Sequence, residues 1–355
     1  MRVIFTTLDG STLERGVEEG RWTDPAGGPV NDLSTSVAVP GLVDGHAHLA
    51  HADMDLLEPG DPNAVAGRAF AAVESGVFLV YDKGSCDTVV LSLSDQPPAV
   101  RPHLQAAGRI IAGDSGYFPG YARETDEAGL VEAVREGTEA SAGWVKIVGD
   151  WPRKGIGPVP NFGEQALAAA VGVAHKAGCR VAIHTMAPDV ASMAVRAGVD
   201  SIEHGLYLND DDIRLLGRRR GMWVPTVMRM EAVVAQFGVE RTAGRVVSEG
   251  LDRVRSLLPG ARDSGVVVLA GTDLTVPSSR VASEALRLID YGLTPEGAVA
   301  ALTVDGWRAA DLDADFRVGA SADLVAFDRH PTEDPTTLCD PVFVMRAGTV
   351  YRSGT

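Results

Sequence analysis

Short apolar runs rich in β-branched residues alternate along this chain with stretches in which Ala, Leu and Val recur at helical spacing. That is the pattern of parallel βα units. The apolar runs fall at Leu42 to His48, Phe78 to Asp82, Pro102 to Ala106, Trp144 to Val148, Arg180 to His184, Ser201 to His204, Met222 to Val227 and Val266 to Thr272. Helical spacing occupies Asn63 to Glu74, Glu127 to Ala140, Glu164 to Ala177, Asp189 to Ala197 and Asp211 to Arg219. Two longer stretches follow near Glu240 to Leu258 and Ala282 to Asp290. Gly178 and Gly198 stand just past two of these stretches, where a left-handed residue ends a helix. Eight such units in sequence predict an α/β chain closed into a (β/α)8 TIM barrel.

The two ends of the chain read differently. Val3-Ile4-Phe5 and Thr35 to Val39 are β-prone pieces broken by Asp9-Gly10 and Gly27-Gly28, and Asp323 to Phe327, Val342 to Met345 and Val350-Tyr351 return to short strands. Neither end is long enough for a stable sheet alone. The reading therefore joins residues 1–42 and 312–355 in one small discontinuous β-sandwich domain, with the barrel in residues 43–311 inserted between its halves.

Composition narrows the function classes. Lys plus Arg number 32 against 48 Asp plus Glu, a net charge of −16, which disfavours nucleic acid and anionic membranes as partners. A small-molecule substrate is the expected partner, and a homo-oligomer stays open. Cys86, Cys179 and Cys339 are too few and too scattered for a disulfide framework or a thiolate metal site. Met1 leads into no long apolar stretch, so neither a signal peptide nor a membrane span is expected, and the default location is cytoplasmic.

Chemistry on such a barrel sits at the carboxyl ends of the strands. There the sequence places His46 and His48, one residue apart and so on one side of an extended strand, then Lys146 inside an apolar run, His184, His204 and Asp273. Singly, a histidine is more often a satisfied core imidazole, a lysine a snorkelling cation and an aspartate a helix cap. Metal-competent or base-competent side chains at five strand ends at once are improbable as coincidence. Glu203, next to His204 on its strand, is expected to face the opposite side. His103, on the third strand, is expected near the barrel mouth.

Pro40-Gly41-Leu42-Val43-Asp44-Gly45-His46-Ala47-His48, Val145-Lys146-Ile147, His184, Glu203-His204-Gly205 and Gly271-Thr272-Asp273 resemble the amidohydrolase superfamily, in particular its imidazolonepropionase-like branch containing Xaa-Pro dipeptidases. Gly319 to Asp328 is similar to the strand by which such chains re-enter their small β domain. The resemblance implies a binuclear metal centre. His46, His48 and Asp273 would hold one divalent ion, His184 and His204 the second, and Lys146, carboxylated by carbon dioxide to a carbamate, would bridge them. Zinc suits such a histidine and carboxylate set. A hydroxide formed between the ions would attack the substrate, with Asp273 as general base and then general acid.

The implied activity is hydrolysis of an amide, carbamate or related C–N bond of a small molecule, an Xaa-Pro dipeptide among the candidates. Rival readings are an esterase, lactonase or phosphoesterase using the same centre, and a non-catalytic barrel acting as a binding or scaffold protein. The loops after the strands depart from the dipeptidase pattern at Gly116 to Tyr121, at Thr185-Met186 and at Gly149 to Gly155. In those loops Arg153 and Lys154 are candidates for a substrate carboxylate, and Tyr117, Tyr121 and Trp151 for the wall around an apolar group.

Overall fold

Apolar runs that lie against helices on one side and a packed interior on the other have both faces buried, and they form the strands of one parallel sheet. The computed structural model describes residues 1–52, 59–153 and 157–353. Within them the barrel strands are β1 (Leu42–Ala47), β2 (Val77–Asp82), β3 (His103–Ala107), β4 (Gly143–Val148), β5 (Arg180–Thr185), β6 (Ser201–His204), β7 (Met222–Val224) and β8 (Val267–Val268). Each pairs with the next in chain order.

The sheet closes between its first and last strands. Gly45 N donates to Ala270 O at 2.7 Å, and Asp273 N donates to His46 O at 2.9 Å. The buried Asp44 carboxylate reinforces this seam, accepting from His46 N, Thr272 N and the Thr272 hydroxyl. Two glycines let the backbones approach. A Cβ at Gly45 would lie 2.7 Å from Leu269 Cβ, and one at Gly271 would lie 2.6 Å from His46 Cβ. The seam therefore fixes His46 and Asp273 against each other before either side chain is considered.

Helices cover the outside through stripes of small apolar residues. In Pro62–Glu74 the Asp61 side chain caps the amino end by accepting from Asn63 N, and Val65, Ala69, Ala72 and Val73 are buried. In Glu164–Lys176 the stripe is Leu167, Ala170, Val171 and Ala174. Removing a Val or Leu side chain from water contributes about 1.5–3 kcal/mol, so these stripes dominate the attachment of helix to sheet.

The structure departs from the sequence expectation around β7. Its ladder ends at Val224, because Pro225 has no N–H to donate and Thr226 adopts a left-handed backbone (φ 46°). A helix at Val227–Phe237 follows, and its first two amides donate to the buried Glu284 carboxyl group at 2.6 and 3.0 Å. Beyond the expected elements, Ile111–Gly113 and Arg123–Thr125 pair in parallel beside β4, and Asp150–Arg153 forms a hairpin with Gly157–Pro160.

Both ends of the chain build one seven-stranded sheet. Its order is Thr349–Ser353, Phe343–Arg346, Leu324–Phe327, Val30–Val39, Arg2–Thr7, Thr12–Glu18 and Arg21–Thr23. A bridge between Arg21 and Ser321 brings the far edge back, so the sheet curls over a core containing Phe5, Trp22 and Phe316. The buried Arg346 pairs with Asp323, donates to Pro98 O and lies 5.3 Å over the Phe78 ring, tying this sheet to the amino side of the barrel. Among the described residues no helix is long and apolar enough to cross a membrane.

Candidate metal centre

Four imidazoles, one carboxylate and one lysine meet at the carboxyl end of the barrel, around one wall of a cavity of about 740 Å³. His46 and His48 come from the end of β1, Lys146 from β4, His184 from β5, His204 from β6 and Asp273 from the turn after β8. The strand ends bend to aim these groups. His204 (φ 62°) and Asp273 (φ 41°) both have left-handed backbones, a conformation that costs a non-glycine residue energy and so has to be held by its surroundings.

That bend explains the principal error of strict alternation. Ser201 and Glu203 already face the barrel interior, where Ser201 Oγ donates to Glu203 Oε1 at 2.5 Å. His204 then turns back toward the same mouth. Glu203 is therefore an interior residue, contrary to the sequence expectation, with Oε2 2.7 Å from His46 Nδ1 and Oε1 3.1 Å from Lys83 Nζ. Lys83, also unanticipated, follows the apolar strand β2 and is buried, 5.0 Å from the Trp144 ring. A charged residue inside an apolar run was the signal that singled out Lys146; Lys83 stands one residue past the run Phe78 to Asp82, where that signal does not reach.

Hydrogen-bond partners set the histidine tautomers. His48 Nδ1 donates to Gly84 O at 2.7 Å. His46 Nδ1 faces the Glu203 carboxylate. Thr226 Oγ1 gives its proton to Pro225 O, so its contact with His204 Nδ1 at 2.6 Å makes that nitrogen the donor. All three rings therefore carry their lone pairs on Nε2.

Those lone pairs converge. His46 Nε2 lies 3.3 Å from His48 Nε2 and 3.4 Å from Asp273 Oδ1, and His48 Nε2 lies 3.5 Å from the same oxygen. These atoms have no proton to share among themselves. Bonds of 2.0–2.2 Å to a tetrahedral zinc ion would set its donor atoms about 3.3–3.6 Å apart, so the spacing fits a bound cation. His204 Nε2 approaches His184 Nδ1 at 2.9 Å, and His184 Nε2 is buried with no hydrogen-bond partner among the described residues. Lys146 lines the cavity beside these rings.

Electrostatics agree with the geometry. Burial depresses His46 to about 4 and His204 to about 3, so both rings are neutral and able to donate electron pairs near pH 7. Burial alone would raise the Asp273 carboxyl, but the surrounding imidazoles of His46, His48 and His204 outweigh it and hold the group well below the usual range. For Lys146, burial lowers the ammonium to about 8 against the opposing pull of Glu203.

The remaining predicted residues divide. Tyr117, Tyr121, Trp151 and Arg153 line the cavity. Trp151 lies 5.8 Å from His184 and 4.6 Å from Tyr117, and the Tyr121 hydroxyl is 2.6 Å from His51 Nε2. Lys154 lies outside the described residues. His103 is not at the mouth: it is the first residue of β3, at the amino end of the barrel, where its ring packs edge-on against Trp307 at 5.3 Å. His103 stands at the start of the run Pro102 to Ala106, and in a parallel barrel that position is the amino end, so the run itself argued against the mouth.

Residues 37–353 match the family model of the amidohydrolase family. An uncharacterized protein of Mycobacterium tuberculosis strain H37Rv is 33% identical over 362 residues, covering 97% of this chain and 93% of its own length. Aspergillus niger ochratoxinase is 26% identical over 211 residues, 54% of this chain and 43% of its own. Among solved structures, a Xaa-Pro dipeptidase with methionine bound in its active site superposes with a TM-score of 0.82 at 21% identity, covering 99% of each chain.

Proposed function

The chain belongs to the amidohydrolase family and is a hydrolase acting on carbon–nitrogen bonds, and from that premise we propose that it cleaves an amide, carbamate or related C–N bond of a small molecule at a binuclear metal centre. The observation that carries this reading is the convergence of two Nε2 lone pairs and the Asp273 carboxylate within 3.3–3.5 Å, a cluster of electron-pair donors at the spacing of ligands around one cation. His46, His48 and Asp273 would hold one ion and His184 and His204 the other, with zinc suited to the donor set. Lys146, carboxylated to a carbamate by carbon dioxide, would lie between them as a shared anionic ligand. When bound, such ions polarise a substrate carbonyl and bring the pKa of a water molecule near neutrality.

The protein's own groups do the rest. Asp273 takes the proton from the attacking water and delivers it to the leaving nitrogen, which departs as a neutral amine rather than a high-energy anion. Glu203 holds the His46 ring in the tautomer that presents Nε2. Trp151 and Tyr117, packed edge to face, exclude water above the centre and supply an apolar wall. The likeness to an Xaa-Pro dipeptidase supports amide substrates, dipeptides included.

Chelator-treated protein and protein reconstituted with zinc are to be compared on matched panels of amides, carbamates and dipeptides and of esters, lactones and phosphoesters. Turnover of members of the first panel by the reconstituted protein alone is the expected result. Turnover confined to the second panel, or unaffected by chelation, would contradict the assignment.

A further inference from the structure

The chemistry described so far leaves one buried cation without a task. We propose that Lys83 is a positioning residue of the metal centre: by gripping one oxygen of Glu203 it holds the other on His46 Nδ1, and so keeps the lone pair of that ring on Nε2, facing the metal position. The inference rests on the hydrolase reading above and adds a residue to the support of its centre.

Lys83 leaves the end of β2, where its N–H donates at 2.8 Å to Ala47 O, the carbonyl between the two histidines of β1. The Asp82 carboxyl group accepts from Leu49 N and Gly84 N at 2.6 and 2.9 Å, so the main chain of this turn is fixed on both sides. Strand β6 lies across the barrel from β2, and the Lys83 side chain reaches toward it, only 2% exposed. Its Nζ stands 3.1 Å from Glu203 Oε1, 5.5 Å from the Tyr81 ring and 5.0 Å from the Trp144 ring. The ring faces attract a cation from a distance, whereas the carboxylate fixes its direction. Ser201 Oγ shares Oε1, and Oε2 is left for His46 Nδ1 at 2.7 Å. The next residue, Gly84, takes His48 Nδ1 on its carbonyl. One turn, Asp82-Lys83-Gly84, therefore backs both imidazoles, His48 directly and His46 through Glu203.

A buried ion pair is by itself weak evidence of function, since apolar residues of similar volume often replace one with no loss of stability. What an apolar pair does not supply is an anion on His46 Nδ1. A neutral imidazole carries its proton on either nitrogen, and the acceptor at Nδ1 decides which. With Lys83 removed, Glu203 would face His46 as an uncompensated buried charge, a costly state that favours displacement of its side chain. Lys146 is within electrostatic reach of Glu203 as well. In the reading above, however, Lys146 is carboxylated and becomes an anion, so the standing countercharge to Glu203 is Lys83.

The test measures zinc affinity by chelator competition in wild type, Lys83→Met, Lys83→Arg, Glu203→Gln and the double variant of Lys83→Met with Glu203→Gln. Lys83→Met is expected to weaken zinc binding about 10–100-fold, the usual worth of a group that orients a metal ligand, and Lys83→Arg to recover part of it. The sign discriminates, because removing a cation near a dication would by charge alone tighten binding. On the Glu203→Gln background the same substitution adds no further loss, since Lys83 acts through that carboxylate. Thermal melts establish that each variant is folded, and should the methionine variant unfold, Lys83→Gln takes its place with the same expectations. Unchanged or tighter zinc binding in Lys83→Met, or an equal loss on top of Glu203→Gln, overturns the proposal.

A metal-free arm separates this inference from the hydrolase reading. In protein carrying isotopically labelled histidine, nitrogen NMR reads which ring nitrogen of His46 holds the proton, the signal being assigned by its loss in His46→Gln. Wild type is expected to be protonated on Nδ1, Lys83→Met to show a mixture of tautomers, and Lys83→Arg to stay close to wild type. Wild-type His46 protonated on Nε2 overturns the proposal with no variant needed. A tautomer that depends on Lys83 in a protein that binds no zinc would refute the metal reading and leave the Lys83–Glu203–His46 link standing. Zinc binding and turnover that are indifferent to Lys83 would do the reverse.

Discussion

Individual side chains at the cluster have separable tasks. Asp273 both contacts the candidate metal position and is the proton carrier, so Asp273→Asn retains shape while removing the base. The expected result is a fall in kcat of about 10²–10⁴-fold, the usual worth of a positioned general base, measured on zinc-reconstituted protein with metal content checked in parallel. An unchanged kcat would remove the proton-transfer role. Glu203 acts through His46, 2.7 Å away, and is balanced by Lys83 at 3.1 Å. Glu203→Gln is expected to weaken zinc binding about 10–100-fold in a chelator competition, with Glu203→Asp recovering part of it. Equal affinities would show that the contact merely fills space. The six metal-competent residues were legible because each is a polar group within, or just past, an apolar run. Glu203 was not, because the rule of alternating faces ignores the left-handed turn at His204, and the pattern of residue types carries no trace of that turn.

At the scale of elements, the connection after β7 depends on a buried acid. Burial raises the Glu284 carboxyl to about 8, outweighing the two amide hydrogen bonds that favour its ionised form. Between the ordinary value near 4.5 and about 8, the folded chain keeps a proton that the unfolded chain has released. Stability from this group is therefore complete below the lower value and declines as pH rises through the window. Glu284→Gln removes that proton, so the difference in unfolding free energy between variant and wild type should shift in the variant's favour from pH 5 to pH 8, as followed by urea denaturation. A difference that stays flat or moves the other way would contradict the buried-acid account. This helix start was hidden in the sequence, where Met222 to Val227 reads as one run. Only Pro225 hinted at a stop, and the partner that caps the new helix lies 57 residues further on. The hairpin Asp150–Arg153 with Gly157–Pro160 was hidden for a related reason: Pro152, Pro158 and Pro160 read as loop, yet prolines are tolerated in a two-stranded edge.

For the whole molecule, the barrel was legible because its eight runs repeat one local rule, and each strand then pairs with the next without exception. The curled terminal sheet was legible more coarsely, since short strands far apart in sequence carry no register until they meet. The cavity was the least legible feature. Its walls include the hairpin after β4, the turn around Tyr117, the helix after β7 and the start of the helix Thr242–Ala261, whose arrangement depends on packing and not on periodicity. The reaction class can therefore be argued from the strand ends, whereas the shape of the space beside them follows from these connections.

The account stands on the strand-end cluster being a metal centre, and anomalous X-ray diffraction at the zinc edge from crystals of the zinc-reconstituted protein addresses that directly. Two peaks are predicted, one among His46, His48 and Asp273 and one beside His184 and His204, with continuous density joining Lys146 Nζ to a carbamate between them. Absence of a peak at this cluster, or zinc held elsewhere on the chain, would contradict it.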